Sequence, residues 1–193
     1  MSFRLTACVS AIFVVMALVA SCASPPLTLY TLEPSAGVLN AASSSGKLKV
    51  VEVRRVVVPD AFDNQDILLR EGSTLIRSSH GRWASRFSLS ATYFLTRQLA
   101  QRRQDLLITD QPQVEPADYR LFVTINTLDV TAAGTATLEA DWLIVPRNPA
   151  LPSLRQRGRF SATGPVATDR DVVSLNTALQ QQLADSVAAS SRW

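Results

Sequence analysis

A run of sixteen mostly apolar residues, Leu5 to Ala20, closes in the tetrapeptide Val19-Ala20-Ser21-Cys22. This feature constrains the chain most, because it decides how much of it folds and where. Arg4 is the only charged side chain before Glu33. A short basic start, an apolar stretch and small residues at its end have the layout of an export signal. A membrane-spanning helix needs roughly 20 apolar residues, so the run is short for a permanent span. Its end resembles a lipobox, in which an aliphatic and two small residues precede a cysteine. The small residues suit an extended backbone in a peptidase cleft, and the Cys22 sulfur is the one strong nucleophile there to take a diacylglyceryl group. The alternatives are an ordinary export signal with a chance cysteine, or a short anchor helix.

The cysteine count fits the lipobox. Cys8 lies inside the leader and would leave with it, and Cys22 would be acylated. No other cysteine exists, so the exported part has neither a disulfide nor a thiolate metal site. Such a domain must be held by its core alone. The 172 residues from Cys22 onward are ample for one core and marginal for two. The expected division is a leader at 1–21, a lipidated tether with a first short strand at 22–46, and one domain at 47–193. Nineteen basic and sixteen acidic side chains give a net charge of +3, and loss of Arg4 leaves +2. The basic residues are scattered among acids, with no stacking platform of aromatics beside them, so nucleic acid is not an expected partner.

After Cys22, Ala23-Ser24-Pro25-Pro26 favours an extended tether. Leu27 to Leu32 alternates as a half-buried strand does. Ala36 to Gly46 reads as a loop. Lys47 to Val58 is dense in valine, but Lys49, Glu52, Arg54 and Arg55 break strict alternation, which predicts a strand with a bulge. Ile67–Arg70 and Thr74–Arg77 flank Glu71-Gly72-Ser73 as a hairpin. From Arg86 to Arg103 the period becomes helical, with Phe87, Ala91, Phe94, Leu95 and Gln98 on one face and Leu99 beside it. Leu106–Ile108 is a short strand. Tyr119, Leu121, Val123 and Ile125 alternate until parity flips at Leu128 and Val130, a second predicted bulge. Leu138, Ala140, Trp142 and Ile144 share one face of the next strand, opposite Glu139 and Asp141. In the last strand, Leu154 to Thr163, Phe160 and Ala162 point inward and Arg155, Arg157 and Arg159 outward. A stripe of Val172, Leu175, Leu179, Leu183 and Val187 predicts a closing helix from Asp171 to Ala189, capped by Asp169 or Asp171. The implied class is α/β: a single domain with a mixed, mostly antiparallel sheet flanked by two main helices.

These residues resemble the ABC-type transport auxiliary lipoproteins over nearly the whole exported chain. The likeness runs through Cys22, Leu29-Tyr30-Thr31-Leu32, the valine strand closing in Val57-Val58-Pro59-Asp60-Ala61-Phe62-Asp63, and Ile67-Leu68-Leu69-Arg70. Its most specific piece is Arg82-Trp83-Ala84, just before a helix with Leu95 and Leu99. Ser85-Arg86 departs from the acid and proline the family often has there. The resemblance implies an anticodon-binding-domain-like α/β fold. It also implies work beside an ABC permease, its ATPase and an MCE-type periplasmic protein that moves lipids or other apolar molecules across the Gram-negative envelope. Membrane attachment would come through the Cys22 lipid. Ala23 after that cysteine, rather than aspartate, points to the periplasmic side of the outer membrane. Self-association around a ring or tube is compatible with such a role.

Catalytic chemistry finds little footing. His80, the only histidine, sits in a turn context, Ser79-His80-Gly81, which suits a solvated loop residue better than a ligand or base. No Gly-x-Ser-x-Gly elbow and no phosphate-cradling glycine loop occur. Asp60, Asp63, Asp66 and Glu71 lack the spacing of a calcium loop and suit turns and helix caps. No cofactor, metal or enzymatic activity is expected. Arg82 and Trp83 are candidates for a partner interface, since Trp and Arg are enriched at hot spots; the alternative is a tryptophan covering the helix start beside a salt-bridged Arg82. The Arg155, Arg157, Arg159 ladder could meet an acidic partner or headgroups, or be a solvated face paired with Glu139 and Asp141. Trp193 is left open between disorder and docking. Two functions follow: an auxiliary lipoprotein that docks on a transport machine, or a lipid carrier, which would need an apolar pocket of at least about 300 Å³.

Overall fold

The computed structural model describes residues 26–32, 48–190 and 193. The leader, Cys22 and the loop read at 36–46 lie outside these residues. Among the described residues, eight strands and two helices follow in order: β1 (Thr28–Tyr30), β2 (Lys49–Val53), β3 (Asp66–Glu71), β4 (Thr74–Trp83), α1 (Phe87–Arg102), β5 (Leu106–Thr109), β6 (Tyr119–Val130), β7 (Thr135–Pro146), β8 (Leu154–Thr163) and α2 (Asp169–Ala188). The class is the expected α/β one, with mostly antiparallel long pairings and two helices. The strands divide between two sheets, however, ordered β1-β4-β3 and β5-β2-β6-β7-β8. The hairpin lies in the smaller sheet because β1 pairs with its second strand.

The larger sheet has one buried face. Leu121, Val123 and Ile125 of β6, Leu138, Ala140, Trp142 and Ile144 of β7 and Phe160 of β8 join the core with at most 9 % exposure. Both helices add their apolar stripes: Phe87, Ala91, Phe94, Leu95 and Leu99 from α1, and Val172, Leu175, Leu179, Leu183 and Val187 from α2. Burying one stripe per helix against one sheet face is the driving term of this fold. Trp142 Nε1 donates to Gln156 Oε1 at 3.0 Å and Ser190 Oγ at 3.1 Å, pinning β7 to β8 and to the end of α2. Trp193 packs edge-on against Tyr119, with ring centroids 6.4 Å apart, and Arg103 lies over its ring.

Both bulges are present. The valine strand leaves regular pairing after Val53, yet Arg54 N reaches Leu121 O and Val57 N reaches Val123 O. That sets three residues of this segment against two of β6. The excursion lets Val56 N donate to Thr92 Oγ1 of α1 at 2.9 Å. In β6 the register shifts between Ile125 and Thr127. The cap of α2 differs from expectation. Thr168 is the N-cap, and Asp171 serves as its reciprocal partner in a capping box. A threonine hydroxyl reaches the third backbone N–H of the helix, which an acid already inside the helix does not. At the start of α1, Arg86 provides no side-chain cap, and Asp63 accepts from Ser88 N at 3.3 Å instead.

Candidate functional site

Three elements meet where the described chain begins. β1 runs parallel to β4, with Thr28 beside Gly81, Leu29 beside Arg82 and Tyr30 beside Trp83. The β3–β4 register slips between Asp66/Arg82 and Leu68/Arg77, so Ser78 to Gly81 bow out of the ladder. The bow is stitched by Ser78, whose Oγ accepts from His80 N at 3.1 Å and Gly81 N at 2.9 Å. The same hydroxyl donates to Asp169 Oδ2 at 2.8 Å, seating the bow on the first turn of α2. A Cβ at Gly81 would lie 2.5 Å from that carboxylate oxygen, so the approach needs glycine. The turn read from Ser79-His80-Gly81 is thus a bulged part of a longer strand than expected.

The strand face at this corner is reversed from a simple reading. Leu27 and Leu29 are 55 % and 61 % exposed, while Tyr30 packs on the core and Leu32 is buried. The sequence carried a signal of this, because Leu27/Leu29 and Tyr30/Leu32 sit on opposite parities of one short strand. Between β1 and the outer face of α2 runs an open groove of about 690 Å³, lined by Leu29, Tyr30, Arg170, Val173 and Thr177 among others.

Arg82 and Trp83 occupy different environments. Trp83 is 3 % exposed and meets Phe87 edge-on, with centroids 5.4 Å apart, so its ring covers the start of α1. Arg82 lies 3.2 Å from Asp66 and donates to the carbonyl oxygens of Ser78 and Gly81. That geometry is the salt-bridged, helix-covering alternative. In the isolated chain only part of the Arg82 side chain offers surface to a partner.

The outer face of the larger sheet carries the arginine ladder. Arg157 holds Asp141 in two hydrogen bonds of 2.7 and 3.1 Å, and Arg159 pairs with Glu139. Hydrogen bonds from Arg157 and Asn126 hold the Asp141 carboxyl at about 2, below its usual 3.8. Asp63 is also lowered, chiefly by its Ser88 hydrogen bonds and then by Arg55 and Arg86. Each shift reports an ion pair or a helix cap. His80 is exposed, and its Nδ1 sits 2.7 Å from Ser79 Oγ. Among the described residues no three His, Cys, Asp or Glu side chains gather as a metal site, and no helix is long and apolar enough to cross a membrane. An interior void lined by Phe62, Leu68, Trp83, Phe87, Leu128 and Asn176 holds only about 10 Å³, the room of one water. It is far below what an acyl chain needs.

Comparison with known proteins follows this architecture. The model of the ABC-type transport auxiliary lipoprotein component matches residues 30–188. A crystal structure of an uncharacterised protein is similar at 15 % identity and a TM-score of 0.68, over 84 % of this chain and 97 % of that one. A Xanthomonas campestris protein is similar at 16 % identity and a TM-score of 0.60, over 83 % and 92 %. At these identities the likeness is one of fold. No curated protein matches the chain.

Proposed function

The chain belongs to the ABC-type transport auxiliary lipoproteins, and from that membership we propose that it is a noncatalytic periplasmic component of a lipid-moving envelope transporter, anchored through Cys22. The observation that carries the reading is one of order. The lipobox cysteine at 22 stands just ahead of the region, 30–188, that the family model matches. The work is mechanical. Acyl chains on Cys22 hold the domain at the periplasmic face of the outer membrane, and the domain docks on an MCE-type protein served by an ABC permease and ATPase. Several acyl chains anchor far better than one, since each buried CH₂ contributes roughly 0.8 kcal/mol.

Two experiments test this. Cys22→Ser should lose the lipid mass and release the domain from membranes; a variant that fractionates like wild type, beside a wild type without lipid, overturns the anchor. The lipidated protein should co-purify with an MCE-type protein from the envelope of its own host, and failure to do so from gently solubilised envelopes overturns the partnership.

A further inference from the structure

The two exposed leucines of the leading corner stand close in sequence to the proposed lipid. Four residues separate Cys22 from Leu27, and the five Cα-to-Cα steps between them reach at most about 17 Å when fully extended. The headgroup layer that holds the lipidated cysteine is itself roughly 5–8 Å deep. The start of β1 therefore cannot stand more than a few ångströms to about a dozen clear of the bilayer surface. At that place the chain presents Leu27 and Leu29 outward, at 55 % and 61 % exposure. The core already has its own residues from this segment, Tyr30 and Leu32, on the opposite parity. The groove beside Leu29 has Arg170 on its far wall. Apolar side chains next to a cation match the chemistry of an interface, where leucines enter the acyl boundary and arginine meets phosphate.

We propose that this corner is a membrane-contact patch: Leu27 and Leu29 enter the headgroup layer of the leaflet that holds the Cys22 lipid, with Arg170 on a lipid phosphate. The anchor is then a fixed post as well as a leash. Ser78, Gly81 and Asp169 lock β1, the bowed strand and α2 together, so contact at the leucines orients the whole domain on the membrane. The opposite ends of the sheets are left to meet protein partners.

The inference rests on the lipid reading, and its test separates the two. The full-length lipidated protein is reconstituted in vesicles of phosphatidylethanolamine and phosphatidylglycerol. With Cys22 blocked by lipid, Leu29→Cys supplies the single reactive thiol for an environment-sensitive dye. The expected result is a blue-shifted label quenched by nitroxide lipids, and a label at Val114→Cys, fully exposed in the loop before β6, that stays in water. Adding Arg170→Glu should reduce the quenching at position 29. A position-29 label that remains aqueous, is shifted but not quenched by lipid, or is quenched no more than the one at 114 overturns the patch. Wild-type protein that itself takes the thiol dye shows Cys22 free, and it is the anchor reading that falls. Leu29 is exposed, so unchanged thermal melting of the labelled variant confirms an intact fold.

Discussion

The two sheets of this molecule are built on different terms. In the larger one, β6, β7 and β8 run for 12, 12 and 10 residues, and β7 pairs with β8 over ten unbroken positions. Alternating side chains give it one apolar and one charged face, and the register follows, since a slip by one residue would exchange the two. In the smaller sheet β1 is three residues long, and β4 bows away from β3 for four. Beyond the short ladders of the hairpin and of β1 with β4, nothing periodic holds it. A serine and a glycine of β4 and an aspartate of α2 do. The larger sheet is specified by pattern and the smaller by contact, so perturbing the first should cost core energy and perturbing the second should cost geometry.

The sharpest form of that contrast compares two leucines. Leu121 is fully buried at the centre of the larger sheet, and Leu121→Ala should cost about 2–5 kcal/mol as lost transfer energy plus a cavity. Leu29→Ala, on an exposed edge, should stay within about 0.5 kcal/mol. Urea denaturation of the two variants reads both values. Comparable losses would break the contrast by showing that Leu29 belongs to the core. Next in size is Gly81→Ala. Its Cβ would crowd Asp169 Oδ2 and lie 3.0 Å from Ile67 Cδ1, both ends of movable side chains, so the carboxylate should swing off Ser78 at a cost of about 1 kcal/mol for the lost hydrogen bond. Ser78→Ala removes the same link, so the double variant should lose less than the sum of the singles. Strict additivity would show that the two residues do not share one contact.

The same distinction explains what could be read from the sequence. Strand β8, the helical stripes and both bulges were legible because each is written in local periodicity. The pairing of Arg157 with Asp141 and of Arg159 with Glu139 followed from facing strands of known parity. The split into two sheets was not legible. It depends on β1 pairing with β4 across more than fifty intervening residues, and a three-residue strand carries too little pattern to announce a partner. The reversed face of β1 was hidden for the same reason, though its two competing parities were visible. Arg170 is not legible as a contact residue, because one arginine early in a helix looks like any solvated charge. The cap of α2 was misassigned by proximity, since Thr168 precedes two acids that also favour helix starts. Thr168→Ala should cost about 1 kcal/mol, read by thermal or urea melting. No measurable loss would mean that the start of α2 is held by its seat on Ser78 and not by its own cap.

The smallest effect lies on the charged face of the larger sheet, where pattern alone sets the pairs. Asp141 is held at about 2, first by the Arg157 hydrogen bonds and then by Asn126. A carboxyl whose folded value lies below its unfolded one adds stability above the unfolded value, and that contribution fades as pH falls through the folded one. Here the window runs from near the usual 3.8 down to about 2, so stability near neutral pH should not depend on pH through this group. The pair is open to solvent and screened by salt, so the readout is the titration itself. A carboxyl-carbon NMR titration of wild type should give a midpoint near 2, and Arg157→Gln should move it up toward 3.8. A wild-type midpoint already at 3.8 would show that the strands bring these side chains into register without bringing them into contact. The ladder would then be a solvated face whose order comes from the backbone alone.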